Sequence, residues 1–232
     1  MKKWLSKNNC NIYQLLSGRS NVYLIESGVD FILVDTGKQS AFKRLQKNLN
    51  RLKISLEDIT YLILTHTHYD HCQTAKRIKE ISGCKIITSR ESEESVKSGY
   101  YQLPNGTLFF TRIIARLGQN IGIKKYGYEP FEPDILIDNE YQIYNNIRIT
   151  ETAGHSKDSI SIIVDEEIAI VGDAMFGVFS NSAFPPYADD VSKMVEKWGK
   201  LLKTNCSIFL PGHGSEVKRK LLQREFEKYS SQ

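Results

Sequence analysis

The sequence predicts an α/β protein in which two mixed β-sheets face each other and helices cover their outer sides. Segments of strand character fall into two clusters, and helical periodicity follows each cluster, so the order along the chain is β, α/β, insert, β, α/β. The two halves are therefore of similar kind. Because no linker rich in proline, glycine or serine separates them, we expect a single domain over residues 1–232 with one partly helical insert at about 90–134.

The first half begins with short β-branched and aromatic runs at 12–16, 21–26 and 31–34, which predict an antiparallel meander. An amphipathic helix is then predicted from four apolar residues at helical spacing: Ala41, Leu45, Leu49 and Leu52. The continuous apolar run 59–64 predicts a strand buried on both faces. A helix at about 72–81 and a strand at 85–88 complete this half.

Residues 90–134 break the pattern. Aromatic residues are scattered there among glycine, proline and basic residues, namely Tyr100, Tyr101, Phe109, Phe110, Tyr126, Tyr128 and Phe131. A second aromatic segment, residues 175–187, follows later in the chain. These aromatic side chains are expected either to wall an apolar substrate pocket or to pack on the sheets as a satellite core.

The second half repeats the β-then-helix order. Strands are predicted at 135–137, 141–144, 147–151, 160–164 and 168–171. A helix near 191–203, a short apolar strand at 208–210 and a charged terminal helix from about Ser215 follow. Chemistry is expected at the carboxyl ends of the buried strands, where open α/β sheets place it.

Composition excludes several classes of protein. The chain is 41% apolar and 25% charged, which argues against disorder, and its four cysteines lack any CxxC pair, which favours reduced thiols and a cytoplasmic location. The N-terminus has no apolar stretch of the signal-peptide kind, and no apolar run approaches the roughly 20 residues of a membrane span. The net charge of +4 is dispersed, so neither a nucleic acid nor a membrane is expected as a partner. The oligomeric state is not determined by the sequence.

Five histidines carry the strongest signal. His66, His68 and His71 lie within six residues, while His155 and His213 each follow a glycine in a predicted strand-end loop. Asp70 lies inside the first cluster, and Asp173 follows the apolar run that ends at Val171. A His-x-His-x-Asp-His pattern arises by chance on the order of once in 10⁴ sequences of this composition. His66, His68 and Asp70 occupy alternate positions, and His71 follows directly, so the cluster offers ligands in two directions. This favours two metal ions over one.

These residues resemble the metallo-β-lactamase superfamily in its binuclear form, and they occur in the same chain order. The 21–24 strand and the Asp35-Thr36-Gly37 turn also match, so that the resemblance covers nearly the whole chain. It implies a four-layer αβ/βα sandwich with the metal site at one edge. The cluster itself is similar to that of glyoxalase II, but Cys72-Gln73-Thr74 replaces its usual glycine-rich continuation.

Carried over residue by residue, the resemblance assigns His66, His68 and His155 to a first metal ion. It assigns Asp70, His71 and His213 to a second ion. Asp173 bridges the two. Nitrogen and carboxylate donors without thiolate favour Zn²⁺ and also admit iron or manganese.

The metal site implies a hydrolase. Two ions can activate a water and polarise a carbonyl or phosphoryl oxygen, and Asp70 is expected to orient the bridging hydroxide as the catalytic residue. We therefore predict cleavage of a small ester, thioester or lactone. A phosphodiesterase or nuclease on the same site and a non-catalytic metal-binding regulatory module are the alternatives.

Further residues near the motifs allow two interpretations each. Asp35 either hydrogen-bonds a metal-binding histidine or only forms a turn. Ser156 either makes a loop hydrogen bond or contacts substrate. Cys72 is either a further metal ligand, which would be redundant beside seven others, or packs at a helix start, which we expect. Acyl-homoserine lactonases of the superfamily usually carry tyrosine where this chain has Phe176, which disfavours that activity.

Overall fold

The computed structural model describes residues 1–28, 30–121 and 126–230, with the backbone alone at 118–121. Among these residues, seven strands form a first sheet in the order β1 to β7, and six form a second in the order β13-β12-β11-β10-β9-β8. The first sheet consists of β1 Lys2–Leu5, β2 Asn11–Leu16, β3 Val22–Ser27, β4 Asp30–Val34, β5 Ile59–Ile63, β6 Lys85–Ser89 and β7 Ile135–Ile137. The second consists of β8 Glu140–Tyr144, β9 Ile147–Glu151, β10 Ile160–Val164, β11 Ile168–Gly177, β12 Ile208–Gly214 and β13 Val217–Lys218.

Both sheets are mixed. Strands β1 to β4 are antiparallel and β4 to β7 parallel, whereas in the second sheet only β11 and β12 run parallel. The described α-helices are α1 Phe42–Arg51, α2 Tyr69–Cys72, α3 Ala75–Ser82, α4 Glu93–Ser98, α5 Phe109–Ile121, α6 Val191–Leu202 and α7 Arg219–Ser230. Short 3-10 turns lie at Gln39–Ala41, Leu56–Asp58 and Arg90–Ser92.

Three apolar layers hold the sandwich together. Successive side chains of a strand point to opposite faces, so Leu62 of β5 packs against α1 and α3, while its neighbour Ile63 packs between the sheets. On the far side, β11 and β12 bury Trp198 of α6 and Leu222 of α7. The predicted sandwich of two mixed sheets with external helices is confirmed.

Element boundaries differ from the predictions at several places, and one of them is β13, which occupies 217–218 where the terminal helix was expected. Strand β1 was not predicted, and the helix expected over 72–81 is split into α2 and α3. Strands β11 and β12 extend beyond their apolar runs because they pair with each other as far as Gly177 and Gly214. Polar and glycine residues in these extensions conceal the strands from a pattern based on apolar runs.

The segment 90–134 contains a 3-10 turn, α4 and α5. Residues 122–125 of the predicted insert lie outside the described residues. Within the described part of the chain, no helix is long and apolar enough to span a bilayer.

Candidate metal centre

The predicted metal-binding residues lie in segments that follow strands or inside the extended parts of β11 and β12. His66, His68 and His71 follow β5, and His155 lies in the loop between β9 and β10. Asp173 and His213 belong to the extended parts of β11 and β12. The short helix α2 begins after His68 and places Asp70 in its first turn and His71 in its last.

All seven residues meet in one place. We call His66, His68 and His155 the histidine group, and Asp70, His71 and His213 the mixed group; in each, one donor atom per residue lies within 4.8 Å of the others. Asp173 joins the two groups, since its Oδ2 is 3.5 Å from His155 Nε2 and 3.2 Å from His213 Nε2.

Hydrogen bonds orient three of the rings. Asp35 Oδ2 lies 2.9 Å from His71 Nδ1, and the backbone carbonyl of Tyr187 lies 2.9 Å from His155 Nδ1. Both oxygens act as acceptors, so each ring carries its proton on Nδ1 and directs Nε2 at the centre. Asp35 thus contacts a candidate metal-binding histidine, one of the two roles considered for it.

His66 is oriented through a relay. The Thr65 hydroxyl lies 2.8 Å from Asp35 Oδ2 and 3.1 Å from His66 Nδ1. Because the hydroxyl has a single proton and the carboxylate accepts it, the hydroxyl oxygen accepts the proton on His66 Nδ1. His66 Nε2 is therefore an unprotonated, fully buried nitrogen.

The centre has the donors and the unsatisfied atoms of a metal site. His66 Nε2 and Asp173 Oδ1 are buried without a hydrogen-bond partner, and His71 Nε2 lies 3.3 Å from His213 Nε2. Buried polar atoms are normally paired, and nitrogen lone pairs that converge on a carboxylate are the donors that divalent transition metals prefer. This cluster of histidines and aspartates is of the kind that binds divalent metal ions.

The pKa values of the histidine rings are shifted in opposite directions. Burial, together with the neighbouring His71, holds the pKa of His66 well below its usual value, and burial and His155 do the same for His68. Burial also disfavours a charge on His71, but the carboxylates of Asp173 and Asp35 prevail and raise its pKa to about 10. His66 and His68 are thus neutral at pH 7, whereas a cation must displace a proton from His71.

The carboxylate at the centre is ionised. Burial opposes its charge, yet His213 and His71 hold the pKa of Asp173 well below its usual value. Its full negative charge is thus available to balance a bound cation.

Contacts from distant parts of the chain hold the loops. Asn21 donates its backbone N–H to the carbonyl of Gly212 at 2.7 Å and its side-chain amide to the carbonyl of Pro211 at 2.8 Å, which fixes the part of β12 that carries His213. Asp158 accepts hydrogen bonds from the backbone N–H of Thr67 at 2.9 Å and from the Ser156 hydroxyl at 2.6 Å. Asp158 thus ties together the loops that carry the histidine group, and burial raises its pKa.

The position of Gly212 has no room for a side chain. A methyl group on its Cα would collide with Asp173 Oδ1 and would lie 2.7 Å from His71 Cε1. Only glycine lets β12 approach the centre this closely.

The centre opens into a cleft of about 410 Å³. His68, Asp70, His155, Asp173 and His213 lie at its base. Apolar and aromatic side chains form most of its wall, namely Tyr69, Leu103, Pro104, Ile114, Ala115, Tyr126, Phe176 and Tyr187. A larger cavity of about 540 Å³, lined by Tyr101, Lys157 and Asp189 among others, contains none of the seven residues.

The rim of the cleft carries Arg19. Its guanidinium donates to the Tyr69 hydroxyl at 2.8 Å and lies 3.8 Å from Asp70 Oδ2, although the side chain is 67% exposed. Neither Arg19 nor Asp158 was identified from the sequence. A buried aspartate two residues after Ser156 and an arginine in an early loop carry no motif of their own.

The structure distinguishes between the two interpretations considered for Ser156, Cys72 and the aromatic residues. Ser156 is fully buried and bonded to Asp158, so it makes a loop contact, and Cys72 donates its thiol proton to the Thr67 carbonyl at 3.4 Å. Among the aromatic residues, Tyr128 and Phe131 join the core. Phe176 instead walls the cleft and stacks on His213 with ring centroids 4.6 Å apart.

Comparisons with known proteins agree with this geometry. The chain matches the family model of the metallo-beta-lactamase superfamily over residues 17–213. It is 29% identical over 200 residues to the probable metallo-hydrolase MJ0888 of Methanocaldococcus jannaschii, covering 84% of this chain and 87% of that protein. It is 26% identical over 217 residues to the hydroxyacylglutathione hydrolase GloC of Haemophilus influenzae, covering 89% of this chain and 91% of that protein.

A solved structure shares the fold. The metallo-beta-lactamase family protein TTHA1429 of Thermus thermophilus superposes with a TM-score of 0.68 over 95% of this chain and 78% of that one, at 18% identity. At 18% identity, this similarity supports a shared fold only. The family match spans most of the chain and includes every residue of the two groups, and the chain therefore belongs to the metallo-beta-lactamase superfamily.

Proposed function

We propose that the protein is a hydrolase that holds two divalent metal ions, zinc being favoured, and cleaves a small ester, thioester or lactone. His66, His68 and His155 would hold one ion, Asp70, His71 and His213 the other, and Asp173 would contact both. The observation that carries the proposal is the hydrogen bonding of three rings through Nδ1, which aims His66, His71 and His155 at one carboxylate on the floor of a cleft.

Bound in these groups, the ions would supply a nucleophile at neutral pH by lowering the pKa of a water, and would polarise a carbonyl oxygen. The chain supplies the rest. The described residues that line the cleft include no serine, threonine, cysteine or lysine, so none of these four side chains is available there as a nucleophile. Asp70 lines the cleft and is the more exposed of its two carboxylates, and it would accept the proton of the attacking water.

The cleft wall supports a carbonyl substrate over a phosphodiester. A nuclease needs several basic residues to grip the phosphates, and Arg19 is the only lysine or arginine among the described residues of the cleft. The relative named a hydroxyacylglutathione hydrolase supports cleavage of an acyl bond. All four cysteines are unpaired and buried, which supports a reducing, cytoplasmic location.

Metal content and a substrate panel test the proposal. Purified protein is loaded with Zn²⁺, Mn²⁺ or Fe²⁺, its metal is counted, and p-nitrophenyl acetate, S-lactoylglutathione, a lactone and bis-p-nitrophenyl phosphate are assayed. We expect about two equivalents of metal and turnover of one of the first three substrates. Turnover of the phosphodiester alone would identify a phosphodiesterase, and metal without any turnover would identify a binding module.

The role of Asp70 is tested by Asp70→Asn. The amide keeps the shape but accepts no proton, so we expect turnover to fall by roughly 10²- to 10⁴-fold. Asp138→Asn, which changes an aspartate on the surface paired with Arg90, is the matched control and should leave turnover unchanged. Near-normal activity of Asp70→Asn would refute the proton-accepting role.

A further inference from the structure

Helix α5 has its apolar side turned outward. Among its described side chains, at 109–117, Thr111 and Ala115 are buried, while five large apolar side chains are between 49% and 82% exposed, namely Phe109, Phe110, Ile113, Ile114 and Leu117. An amphipathic helix on the surface of a globular protein normally places such residues against the core. The usual arrangement is reversed in α5.

The exposed apolar residues form one continuous face. Phe110, Ile114 and Leu117 recur at helical spacing, and Phe109 and Ile113 form a second row beside them. A helix of this length extends for roughly 20 Å. Single exposed leucines are ordinary on protein surfaces, but an apolar patch of this kind marks an interaction site.

The charge beside this face is of one sign. Arg112 and Arg116 are exposed on α5, and from Gly99 to Tyr128 the sequence contains no aspartate or glutamate. A helix with phenylalanine, isoleucine and leucine on one side and arginine at its flank is typical of helices that lie in the interface of a lipid bilayer. Basic residues strengthen such binding where the lipids are anionic.

We propose that α5 docks the protein on an anionic lipid surface. Phe109, Ile113 and Leu117 would enter the boundary between headgroups and acyl chains, with Arg112 and Arg116 at the level of the anionic headgroups. This mode of binding needs no membrane span, and it revises the expectation that no membrane is a partner. It does not depend on the proposed hydrolysis.

A second copy of the chain is a weaker occupant of this face. A two-fold interface built on α5 would bring the helix against itself and gather Arg112 and Arg116 of both copies, and like charges oppose such contact. An anionic surface instead complements both the apolar face and the arginines. The position of Ile114 and Ala115 in the cleft wall would then place the cleft mouth beside the lipid.

Vesicle co-sedimentation of the full-length protein tests the proposal. Vesicles of phosphatidylcholine alone are compared with vesicles that also contain phosphatidylglycerol, at low and high salt. We expect binding to the anionic vesicles that weakens with salt, because screening reduces attraction between exposed charges. No binding to the anionic vesicles, or equal binding to both kinds, would overturn the proposal.

Matched variants locate the surface. Ile113→Ser/Leu117→Ser should weaken vesicle binding about tenfold or more, whereas Leu5→Ser/Ile81→Ser, at exposed apolar positions on β1 and α3, should not. Arg112→Gln/Arg116→Gln should weaken it about fivefold per charge. Lys43→Gln/Lys47→Gln, an exposed pair on α1 with the same spacing, is its control.

Since the changed side chains are exposed, each variant should keep the circular dichroism of the parent. Equal losses in the variants and in their controls would refute a role for α5. Light scattering completes the test: a wild-type dimer that Ile113→Ser/Leu117→Ser converts to monomer, without vesicle binding by the parent, would assign the face to a second copy and overturn the proposal.

Discussion

The two halves of the candidate metal centre are built differently. The histidine group is buried throughout, and two of its three rings are held through Nδ1 by Thr65 and the Tyr187 carbonyl. The mixed group lies nearer the solvent, includes a carboxylate, and has the exposed Arg19 beside Asp70. A buried side made of three imidazoles and a more open side that includes a carboxylate suit different tasks, holding a cation and admitting a substrate.

The sharpest test of this comparison removes one ring from each group. His66 belongs to the histidine group and also forms a cluster with His71 and Asp173, whereas His213 belongs to the mixed group alone. We expect His66→Ala to lose nearly all bound metal and His213→Ala to retain about one equivalent per chain, as counted by elemental analysis. Circular dichroism verifies that both variants are folded. Equal retention by the two variants would show that the groups are not distinct.

A smaller effect is expected from the carboxylate behind the mixed group. Both oxygens of Asp35 accept N–H donors, Oδ2 from His71 Nδ1 and Oδ1 from the backbone of Thr65, and an asparagine has only one accepting oxygen. Asp35→Asn should therefore weaken metal binding by about 10- to 100-fold in chelator competition.

Asp158→Asn is the matched control for Asp35→Asn, since it makes the same change at another buried aspartate. The Ser156 hydroxyl can reverse its hydrogen bond toward an amide, whereas the N–H of His71 cannot, so Asp158→Asn should change metal affinity much less. Similar losses in the two variants would mean that burial, and not the contact with His71, accounts for the effect.

The smallest effect is expected at the rim. Arg19 is largely exposed, and exposed ion pairs contribute about 0–1 kcal/mol, so Arg19→Gln should change metal affinity by less than about fivefold. The same chelator competition measures it, with the exposed Arg51→Gln as control. A larger loss would place Arg19 in the support of the mixed group.

Much of the fold and of the candidate site is readable in the sequence because both rest on local patterns. The apolar run at β5 and the His66 to His71 cluster are continuous in the chain, and so is the order of the strands. The ends of β11 and β12 were not readable, since their pairing is a contact between distant residues that contain glycine and polar side chains. The split of the helix at α2 and α3 has the same origin, because Thr36 contacts both His71 and Thr74.

The sequence by itself identified the candidate donors, five histidines and two aspartates, because the spacing of the four in the His66 to His71 cluster is rarely produced by chance. Only the tertiary structure decided how they are held. Asp158 meets Thr67 across 91 positions, and Asn21 reaches Gly212 from the opposite end of the chain. The tertiary structure also decided that the apolar side of α5 faces the solvent. Periodicity cannot reveal this, because a repeat of 3.6 residues shows that a helix has two faces but not which of them packs on the core.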